Sequence, residues 1–361
     1  MKLFLLGGFL GSGKTTAIHQ AVNYLQQAGK KAGVITNDQG TQQVDTRYMR
    51  FHNILSGEVS GSCFCCNLPG LDRNIHHLIE TQQPNAIFAE SVGSCTDLIA
   101  TVVNPLLTAY QSQLEITLSV FADIRVLFSW LQGDKNIFHE NVNYIYDKQL
   151  EEAEILVINK IDLLTGKELS RAKQLVEQSY GHKTILYQNS LNVESISKWI
   201  RIIFDHQNSH LRPSLQLDYD RYGAGEAEMA WLDEEIGILT EDKNSMKAAI
   251  MLVKKIHSKT LERGYPIGHL KFLVNDGRNQ QKISYTSGEQ GERVRVQFKR
   301  SKTDRAVILV NARVQTEPAL LRKIVSDSID EVEFSTGCRV IESKLSSFKP
   351  GYPKPSQRIP A

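Results

Sequence analysis

The feature that most constrains this chain is a glycine-rich segment near its start, at residues 8–15, which reads G-F-L-G-S-G-K-T. The segment matches the phosphate-loop pattern G-x-x-x-x-G-K-[ST]. The apolar run at residues 3–6 predicts a buried strand before it, and apolar residues at helical spacing between Ala17 and Leu25 predict a helix after it. This order aims backbone N–H groups and a helix N-terminus at a polyphosphate. The segment therefore predicts binding of a nucleoside triphosphate.

The phosphate-loop pattern assigns roles to individual side chains. Lys14 is expected to reach the β- and γ-phosphates and to compensate their charge during hydrolysis. The hydroxyl of Thr15 is expected to ligate Mg²⁺. The residues predicted to contact the phosphates are Gly8, Gly11, Ser12, Gly13, Lys14, Thr15 and Thr16.

A second motif indicates which base is bound. The β-branched run at residues 155–158 predicts a strand, and the sequence N-K-I-D follows it, from Asn159 to Asp162. N-K-x-D at the carboxyl end of a strand is the guanine-reading element of phosphate-loop GTPases. The Asp162 carboxylate can accept hydrogen bonds from guanine N1–H and the 2-amino group, a donor pair that adenine lacks. Asn159 would brace the loop, Lys160 would cover one face of the ring, and the motif favours GTP over ATP. Ser190, after the next apolar run, is predicted as a second base contact.

Three of the five cysteines lie within four residues, at Cys63, Cys65 and Cys66. The start of the chain shows no secretory signal, and no apolar run reaches the length of a membrane span. The chain is therefore expected to be cytoplasmic, where thiols stay reduced. Clustered thiols in a reducing compartment predict a site for a soft metal such as Zn²⁺ or Cu(I).

The spacing of these thiols predicts what kind of metal site they form. A closed structural zinc site usually draws four ligands from two separated pairs, whereas this chain has one compact cluster. Adjacent Cys65 and Cys66 are not expected to point at one ion together, which favours an open site of two or three thiolates plus an oxygen ligand. Two alternatives stay open, namely buried small apolar side chains and a redox pair. Cys95 and Cys338 stand alone in the sequence, and Cys338 is predicted to be a core residue.

The phosphate loop, the C-x-C-C cluster and the N-K-x-D motif, in this order, resemble the CobW-like metallochaperone GTPases, relatives of the nickel-insertion GTPases of urease and hydrogenase maturation. The resemblance covers roughly residues 1–205. Residues 37–40 resemble the first switch of that family, although Asp38 stands where a glutamate is usual. Residues 87–93 are similar to its E-x-x-G element, a strand that carries a glutamate, here Glu90, near Mg²⁺.

The resemblance implies further site residues. It implies Lys14, Asp38 and Glu90 as catalytic residues. The implied magnesium ligands are Thr15 and Glu90. The implied ligands of the transition metal are Cys63, Cys65, Cys66, Asp38 and Asp45.

The position of the cysteines between the two switch-like segments predicts that nucleotide and metal are coupled. Switch segments of GTPases are ordered by contacts with the γ-phosphate and Mg²⁺ and are released on hydrolysis. A thiolate cluster on such a segment would have one geometry with GTP and another with GDP, so the nucleotide could set the metal affinity. The sequence places no arginine finger, and no glutamine directly follows Gly93. Turnover is therefore expected to be slow without a partner or metal.

Length and composition predict two domains in an ordinary globular protein. A chain of 361 residues exceeds the usual size of a single core, and 41% of its residues are hydrophobic and 23% charged. A net charge of +2 gives no field that would attract nucleic acid or a membrane. Alternating strand-like and helical runs predict an α/β P-loop domain with a mainly parallel sheet at residues 1–205. A linker at residues 206–213 and a smaller α+β domain at residues 214–361 are predicted to follow.

The sequence of the second half of the chain predicts helices and strands but contains few functional motifs. Residues 218–235 carry seven acidic side chains and are expected to form a solvated surface. A strand at residues 293–298 has a basic face, expected to be a solvated edge, and the basic tail from Lys344 onward is expected to be extended. Further helices are predicted at residues 246–261 and 318–329, and further strands at residues 266–274, 282–286 and 306–310.

Together these features predict a protein that binds and hydrolyses GTP and couples its nucleotide state to the binding and delivery of a transition metal, zinc above others, to a client metalloenzyme or apo-protein. The cofactors that this requires are GTP, Mg²⁺ and Zn²⁺ or another transition metal. The alternative is a GTPase that protects or reloads a cofactor, for example a corrinoid, in a client enzyme as a conformational chaperone with structural cysteines. The client and the oligomeric state, including its dependence on nucleotide, are not determined by the sequence.

Overall fold

The structure, a computed structural model, describes residues 1–40, 44–111, 113–134, 137–206, 209–286 and 302–361. These residues form two compact units, which do not divide the chain at a single point. Unit 1 consists of Met1–Gln39, Met49–Gly225 and Tyr352–Ala361. Unit 2 consists of Gly40–Tyr48 and Glu226–Gly351.

Unit 1 is built on a parallel sheet of seven strands. The strands are β1 (Lys2–Gly7), β2 (Ala32–Asp38), β3 (Ser56–Ser60), β4 (Ala86–Glu90), β5 (Glu115–Asp123), β6 (Ile155–Asn159) and β7 (Thr184–Gln188). They lie in the order β3-β2-β4-β1-β5-β6-β7, and each pair of neighbours is parallel. Because the carboxyl ends of parallel strands meet at one edge of the sheet, the residues that follow β1, β4 and β6 come together there.

Helices connect these strands, as parallel neighbours require, and two more helices follow β7. They are α1 (Lys14–Gln27), α2 (Val44–Phe51), α3 (Leu68–Gln82), α4 (Asn104–Tyr110), α5 (Ile124–Leu131), α6 (Glu140–Glu152), α7 (Gly166–Tyr180), α8 (Val193–Asp205) and α9 (Tyr219–Ala227), of which α2 and α9 each contribute residues to both units. A π-helical turn, Ile99–Val103, precedes α4. The start of α7 is fixed by a capping box between Thr165 and Glu168.

Buried side chains in the core of unit 1 fix the position of the parallel sheet and so of its carboxyl edge. Leu3 and Leu5 of β1 are fully buried, as the apolar run before the glycine loop predicts. Trp199 of α8 is also buried and packs its ring against Phe88 of β4 and Phe121 of β5, with centroid distances of 5.9 and 5.3 Å. Each such ring pair contributes about 0.5–1.5 kcal/mol beyond the burial of its area. The central strands are thereby fixed relative to one another.

Unit 2 contains an antiparallel sheet of five strands among its described residues. The strands are β8 (Met229–Leu239), β9 (Ile267–Asn275), β10 (Gln280–Tyr285), β11 (Arg305–Gln315) and β12 (Arg339–Phe348), in the order β10-β9-β11-β8-β12. Two helices, α10 (Ser245–Glu262) and α11 (Pro318–Thr336), share an apolar core with this sheet. Pro318 at the first position of α11 and Gly337 after its end, with φ of 65°, mark its bounds.

The prediction that the acidic stretch at residues 218–235 forms a solvated surface is wrong for two side chains on β8. Asp233 and Glu234 are fully buried rather than solvated. Asp233 accepts hydrogen bonds from Asn311 at 2.9 Å and from Arg313 at 2.8 Å, both on the neighbouring strand β11. An isolated buried carboxylate would be costly, and these partners offset that cost.

The predicted fold class is confirmed, since a parallel α/β phosphate-loop unit is combined with an α+β unit that has a second, antiparallel sheet. The strands predicted at residues 266–274, 282–286 and 306–310 correspond to β9, β10 and β11. The strand predicted at residues 293–298, with its basic face, lies outside the described residues. In the part of the chain that the structure describes, no helix combines the length and apolarity needed to cross a membrane.

Candidate functional site

Three glycines shape the loop between β1 and α1. Gly8, Gly11 and Gly13 have φ angles of 116°, 74° and 95°, which side chains rarely permit. A Cβ atom at Gly8 would lie 2.2 Å from a carbonyl oxygen of β5, and one at Gly13 would lie 2.4 Å from Asn159 Nδ2. Helix α1 begins at the next residue, Lys14, so its N-terminus opens on the loop. The loop can approach β5 and the end of β6 closely only because Gly8 and Gly13 lack side chains.

The Lys14 ammonium group is held at this loop. Its Nζ donates hydrogen bonds to the carbonyl oxygens of Gly8 at 2.5 Å and Phe9 at 3.3 Å, and the side chain is 5% exposed. Both of these carbonyl groups are neutral hydrogen-bond acceptors. An anionic phosphate is therefore a favourable additional partner for it.

Thr15, the next residue of α1, meets Glu90 at the end of β4. The Thr15 hydroxyl donates a hydrogen bond to Glu90 Oε1 at 2.9 Å, and both side chains are buried. β4 pairs with β1 so that Glu90 lies opposite Leu6, beside the start of the loop. Hydroxyl and carboxylate oxygens are ligands that Mg²⁺ accepts. The structure thus brings the two predicted magnesium ligands into contact.

Asn159 joins the end of β6 to the loop and to the segment after β7. Its Nδ2 donates to the Ser12 carbonyl oxygen at 2.8 Å. Its Oδ1 accepts hydrogen bonds from the Ser190 hydroxyl at 2.8 Å and the Ser190 N–H at 3.1 Å. All three residues are buried. Hydrogen bonds therefore connect one residue predicted to contact phosphate with two predicted to contact the base.

The rest of the N-K-x-D motif turns outward from β6. Lys160 has a left-handed φ of 65°, and its ammonium group lies 2.9 Å from Asp123 Oδ2 at the end of β5. Burial acts to raise the pKa of Asp123, but Lys160 and Arg125 outweigh this effect and lower the pKa to about 2. Asp162 is solvent-exposed in the turn Ile161–Leu163. Asp123 is absent from the predicted site residues, although its position at the end of a strand is a signal that could have found it.

The predicted metal-binding cysteines lie in the turn between β3 and α3. The N–H groups of Cys66 and Asn67 both donate to the Cys63 carbonyl oxygen, which closes a tight turn. The Sγ atoms of Cys63, Cys65 and Cys66 all lie within 4.8 Å of one another, and those of Cys65 and Cys66 are 3.7 Å apart. The expectation that adjacent Cys65 and Cys66 do not face one point is therefore wrong, because the closed turn brings their side chains together.

Asn37 attaches this turn to the end of β2. Its Oδ1 accepts the Phe64 N–H at 2.8 Å, and its Nδ2 donates to the carbonyl oxygens of Ser62 at 2.7 Å and Val59 at 2.9 Å. These bonds fix the backbone on both sides of Cys63. Asn37 directly precedes Asp38, the last residue of β2. The turn that carries the thiols is thus attached to the end of that strand.

Hydrogen bonds among the thiols separate their pKa values. Bonds with Cys65 and Cys66 hold the pKa of the Cys63 thiol well below its usual value. The hydrogen bond with Cys63 raises the pKa of Cys65 well above the usual value and that of Cys66 to about 11. Of the three thiols, Cys63 is therefore the one that loses its proton most readily. The other two thiols must lose protons when a metal binds.

Cys95, which stands alone in the sequence, interacts with this cluster in the structure. Its thiol is fully buried and forms hydrogen bonds with the thiols of Cys63 and Cys65. It comes from the turn that follows β4, and no spacing motif in the sequence connects that turn with the C-x-C-C segment. Cys338 is buried in the apolar core of unit 2, as predicted.

Of the described residues, only the three C-x-C-C cysteines form a group with ligand atoms this close together, and neither predicted carboxylate belongs to it. Asp38 ends β2 opposite Ser60 of β3. Asp45 forms ion pairs with Lys271 at 2.6 Å and Lys282 at 2.5 Å within unit 2. Burial acts to raise the pKa of Asp45, but these two ammonium groups hold it well below its usual value. A metal-binding role for Asp45 stays a prediction, and it would require these ion pairs to break.

Residues 352–361, called the C-terminal strap from here on, lie against the cysteine turn in unit 1. The Lys354 N–H donates a hydrogen bond to Cys66 Sγ at 3.3 Å. The Ser356 N–H donates to the Cys65 carbonyl oxygen at 2.8 Å, and the Ser356 hydroxyl donates to the Cys66 carbonyl oxygen at 2.8 Å. The strap therefore contacts both the backbone of the turn and one of its thiols.

The second half of the strap is anchored further along unit 1. Arg358 Nε donates to Asp97 Oδ2 at 2.8 Å, and Asp97 is fully buried. The Ile359 N–H donates to the Ala100 carbonyl oxygen at 2.8 Å, and its own carbonyl oxygen accepts a bond from Asn104 Nδ2 at 2.9 Å. These contacts hold in place a segment that contains no helix or strand.

A comparison with known families matches the part of the chain that carries the phosphate loop, the thiol cluster and the N-K-x-D motif. A sequence model described as the CobW/HypB/UreG nucleotide-binding domain matches residues 2–187, more than half of the chain. The chain belongs to the CobW/HypB/UreG family. The match extends from β1 into β7 and includes all three motifs, and it confirms the resemblance that their order indicates.

Two curated relatives are similar to the CobW/HypB/UreG part of the chain. The zinc chaperone YeiR of Escherichia coli (strain K12) is 27% identical over 198 residues, which cover 53% of this chain and 56% of the relative. The zinc chaperone CobW of Sinorhizobium sp is 27% identical over 213 residues, which cover 51% of this chain and 57% of the relative. The chain thus spans little more than half the length of the curated relatives that it matches.

Solved structures are similar to this CobW/HypB/UreG chain at low identity. HypB from Helicobacter pylori in complex with nickel has a TM-score of 0.41 and 14% identity, and covers 58% of this chain and 90% of its own. The Zn(II)-bound YjiA GTPase from E. coli has a TM-score of 0.31 and 12% identity, and covers 91% of this chain and 98% of its own. At TM-scores this low, neither similarity carries an argument about function.

Proposed function

We propose that this protein is a GTP-hydrolysing metallochaperone whose nucleotide state controls how tightly Zn²⁺, or another transition metal, is held at Cys63, Cys65 and Cys66 before release to a client protein. The observation that carries the proposal is the attachment of the thiol turn to β2. Asn37 bonds to the backbone on both sides of Cys63 and directly precedes Asp38, a predicted switch residue. A change at the end of β2 would therefore reach the thiols through hydrogen bonds.

The nucleotide part of the proposal is supported by the contacts of the predicted residues. Thr15 and Glu90 supply two oxygen atoms that fit Mg²⁺, and a bound Mg²⁺ would neutralise charge on the phosphates. Lys14 would compensate the same charge from the loop, and Asp38 at the end of β2 is the remaining predicted catalytic residue. Asp162 would select guanine, because its carboxylate matches two donors of that base. We expect slow turnover without a partner, since no residue that positions the attacking water is assigned.

The choice of zinc as cargo is supported by the chemistry of the ligands. Thiolates are soft ligands that bind Zn²⁺ well and Mg²⁺ or Ca²⁺ poorly. The two curated relatives are both named zinc chaperones, and we extend that role to this chain as part of the proposal. Reduced thiols also fit a cytoplasmic protein that passes metal to a client there.

The test of this function compares Zn²⁺ affinity in two nucleotide states. The protein is titrated with Zn²⁺ in competition with a chromogenic chelator, once with Mg²⁺ and a non-hydrolysable GTP analogue and once with GDP. Coupled sites typically change each other's affinity by about 5- to 150-fold, and a difference in this range is expected. Reciprocity then requires Zn²⁺ to shift the ratio of the GTP and GDP affinities by the same factor.

Two variants make this comparison specific. Replacing Cys65 and Cys66 together with serine should abolish the shift and leave the affinity for GTP without metal nearly unchanged, because other residues are predicted to contact the nucleotide. Cys338→Ser removes a buried thiol in unit 2 and should behave like the parent protein. Equal Zn²⁺ affinities in the two nucleotide states would contradict the coupling. The cysteines would then be a structural feature, and the cofactor-chaperone alternative would gain.

A further inference from the structure

We propose that Cys95 is a fourth thiol ligand of the zinc site, an inference that rests on the metal-binding function proposed above. Cys95, from a separate turn of unit 1, interacts with two of the three clustered thiols. Cys63, Cys65 and Cys95 are 2%, 1% and 0% exposed, and the Cys95 thiol is hydrogen-bonded to the other two. Cys66 is the half-buried member of the set. The C-x-C-C motif thus supplies three of the four thiols.

The separation of the thiols fits a zinc tetrahedron. In a four-thiolate site with Zn–S bonds of about 2.3 Å, neighbouring sulfur atoms lie about 3.8 Å apart. The Sγ atoms of Cys65 and Cys66 are 3.7 Å apart. Cys63 and Cys65 belong to the group of three and each also bonds to Cys95. Binding of all four to one ion requires Cys95 Sγ to move closer to the other thiols, because among the described residues only Cys63, Cys65 and Cys66 have ligand atoms within 4.8 Å of one another.

The backbone that carries Cys95 is fixed by a buried side chain. Gln149 is 2% exposed, and its Nε2 donates to the carbonyl oxygens of Gly93 at 3.0 Å and Cys95 at 2.8 Å. The Cys95 N–H donates in turn to the Val92 carbonyl oxygen at 3.0 Å. A ligand that is already held in position loses less conformational entropy when it binds a metal.

Burial alone does not distinguish a ligand from a core residue, because a free cysteine is often a small apolar side chain. Cys338 is such a residue, since it is surrounded by the apolar core of unit 2. Cys95 differs because its partners are thiols of the candidate metal site. Cys338, a core residue, therefore serves as the control for Cys95, the proposed ligand, within the same chain.

A ligand at position 95 also connects the metal with the nucleotide site. The segment that ends in Cys95 begins at Glu90, which contacts the first turn of α1. Between them, a Cβ atom at Gly93 would lie 2.9 Å from the backbone nitrogen of Leu10 in the phosphate loop. A movement of this short segment would change the number of thiolates on the metal from four to three. Such a change converts a closed zinc site into an open one, from which the metal can leave.

The experiment counts sulfur ligands by X-ray absorption on the zinc-loaded full chain. The parent protein should show four sulfur atoms at about 2.3 Å from zinc. Cys95→Ser should show three sulfur atoms and one lighter ligand, and the matched control Cys338→Ser should again show four. The zinc affinity of Cys95→Ser should fall by more than the about 10- to 100-fold that the loss of a residue hydrogen-bonded to a ligand costs.

The possible results separate this proposal from the function on which it rests. Three sulfur ligands in both the parent protein and Cys95→Ser, with equal zinc affinities, would overturn the role of Cys95 and leave a three-thiol site. A parent protein that binds no zinc would refute the metallochaperone function itself. Cys95→Ala is measured in parallel, with GTP-analogue affinity as the check on folding. Loss of one sulfur ligand in a variant that still binds nucleotide supports the proposal.

Discussion

The Thr15 hydroxyl and the Glu90 carboxylate are 2.9 Å apart, although 75 positions separate the two residues in the sequence. They meet because α1 starts beyond the carboxyl end of β1 and because β4 is the neighbour of β1 in the sheet. The hydrogen bond orders both oxygen atoms in advance, which lowers the conformational cost of binding a cation between them. This relationship leads to a prediction about magnesium.

Thr15→Ala should make GTP hydrolysis depend on a higher Mg²⁺ concentration. One oxygen ligand is lost while the Lys14 ammonium group stays at the loop, so we expect the apparent Mg²⁺ affinity to fall by about 10- to 100-fold and the rate to recover partly at high Mg²⁺. Lys14→Ala should not recover, because the phosphate charge is left uncompensated. Thr81→Ala, at an exposed site in α3, is the control. Undiminished hydrolysis in Lys14→Ala would remove the phosphate loop from the mechanism.

Asp162→Asn should change which base is preferred. An amide cannot accept hydrogen bonds from both guanine donors, so the affinity for GTP should fall by about 2–3 kcal/mol. Xanthine nucleotides carry a 2-oxo group that complements the new amide donor, and they should gain relative to GTP. Competition binding of GTP, xanthosine triphosphate and ATP measures both effects, with Asp205→Asn as an exposed control. Equal binding of GTP and ATP by the parent protein would show that the base assignment is wrong.

Gly13→Ala should destabilise unit 1 more than Gly29→Ala does. Both glycines have positive φ angles, 95° and 71°, so each substitution costs about 1–2 kcal/mol in backbone strain. Only at Gly13 does the new Cβ also collide, at 2.4 Å from Asn159 Nδ2, whereas nothing lies within 4 Å at Gly29. The difference between the free energies of unfolding of the two variants, measured in urea, gives the cost of the collision. A loss of stability no larger at Gly13 than at Gly29 would mean that the loop can move away from Asn159.

Glu152 should make the protein less stable as the pH rises. It is buried and accepts the Ile99 N–H at 2.6 Å, and burial raises its pKa from 4.5 to about 8. Between these two values the unfolded chain has lost a proton that the folded chain retains, so the free energy of unfolding decreases by about 1.4 kcal/mol for each pKa unit. Glu152→Gln should remove this loss, and its advantage over the parent should grow through that window and then level off. The neighbouring Glu151→Gln is the control, and an advantage that does not vary with pH would contradict the assignment.

Much of the site could be predicted from the sequence, because its motifs fix their own local backbone. Gly8 and Gly13 need positive φ, Lys14 and Thr15 follow at the start of α1, and Asn159 follows the apolar run of β6. The start of helix α11 was predictable for a similar reason, since its periodic apolar positions begin at a proline, whereas the helix runs to Thr336, seven residues beyond its predicted end at residue 329. In each case the signal and the structure that it predicts lie within a few residues of one another.

The features that the sequence did not reveal depend on contacts between distant segments. Asp233 was expected to be solvated because its partner Arg313 is 80 positions away, and the sequence around Asp233 does not reveal their pairing. Cys95 appeared isolated for the same reason, as its thiol partners belong to another turn. The C-terminal strap is held largely through backbone groups such as the Ile359 N–H, and every residue type except proline offers that donor. Composition could therefore indicate an extended tail but not what it contacts.

The C-terminal strap should slow the loss of zinc from the cysteine turn. The Lys354 N–H bonds to Sγ of Cys66, the half-buried thiol, and Ser356 makes two hydrogen bonds to the backbone of the turn. A chelator or client ligand must reach a thiolate to take the metal, and we expect the strap to leave the turn before it can do so. A neutral hydrogen bond contributes about 0.5–1.5 kcal/mol and one to a charged group about 1.5–3 kcal/mol, which sets the free energy of this opening.

Replacing Ser356 and Arg358 together with alanine should accelerate transfer of zinc from the loaded protein to a chelator by about tenfold or more, because it removes a neutral hydrogen bond and the bond to Asp97. The affinity for a GTP analogue should stay nearly unchanged, since the predicted nucleotide contacts lie elsewhere. Gln357→Ala is the matched control, because this exposed side chain lies between the two and takes no part in these bonds. Equal transfer rates in the parent protein and both variants would show that opening of the strap does not limit access to Cys66, and that the metal leaves by another route.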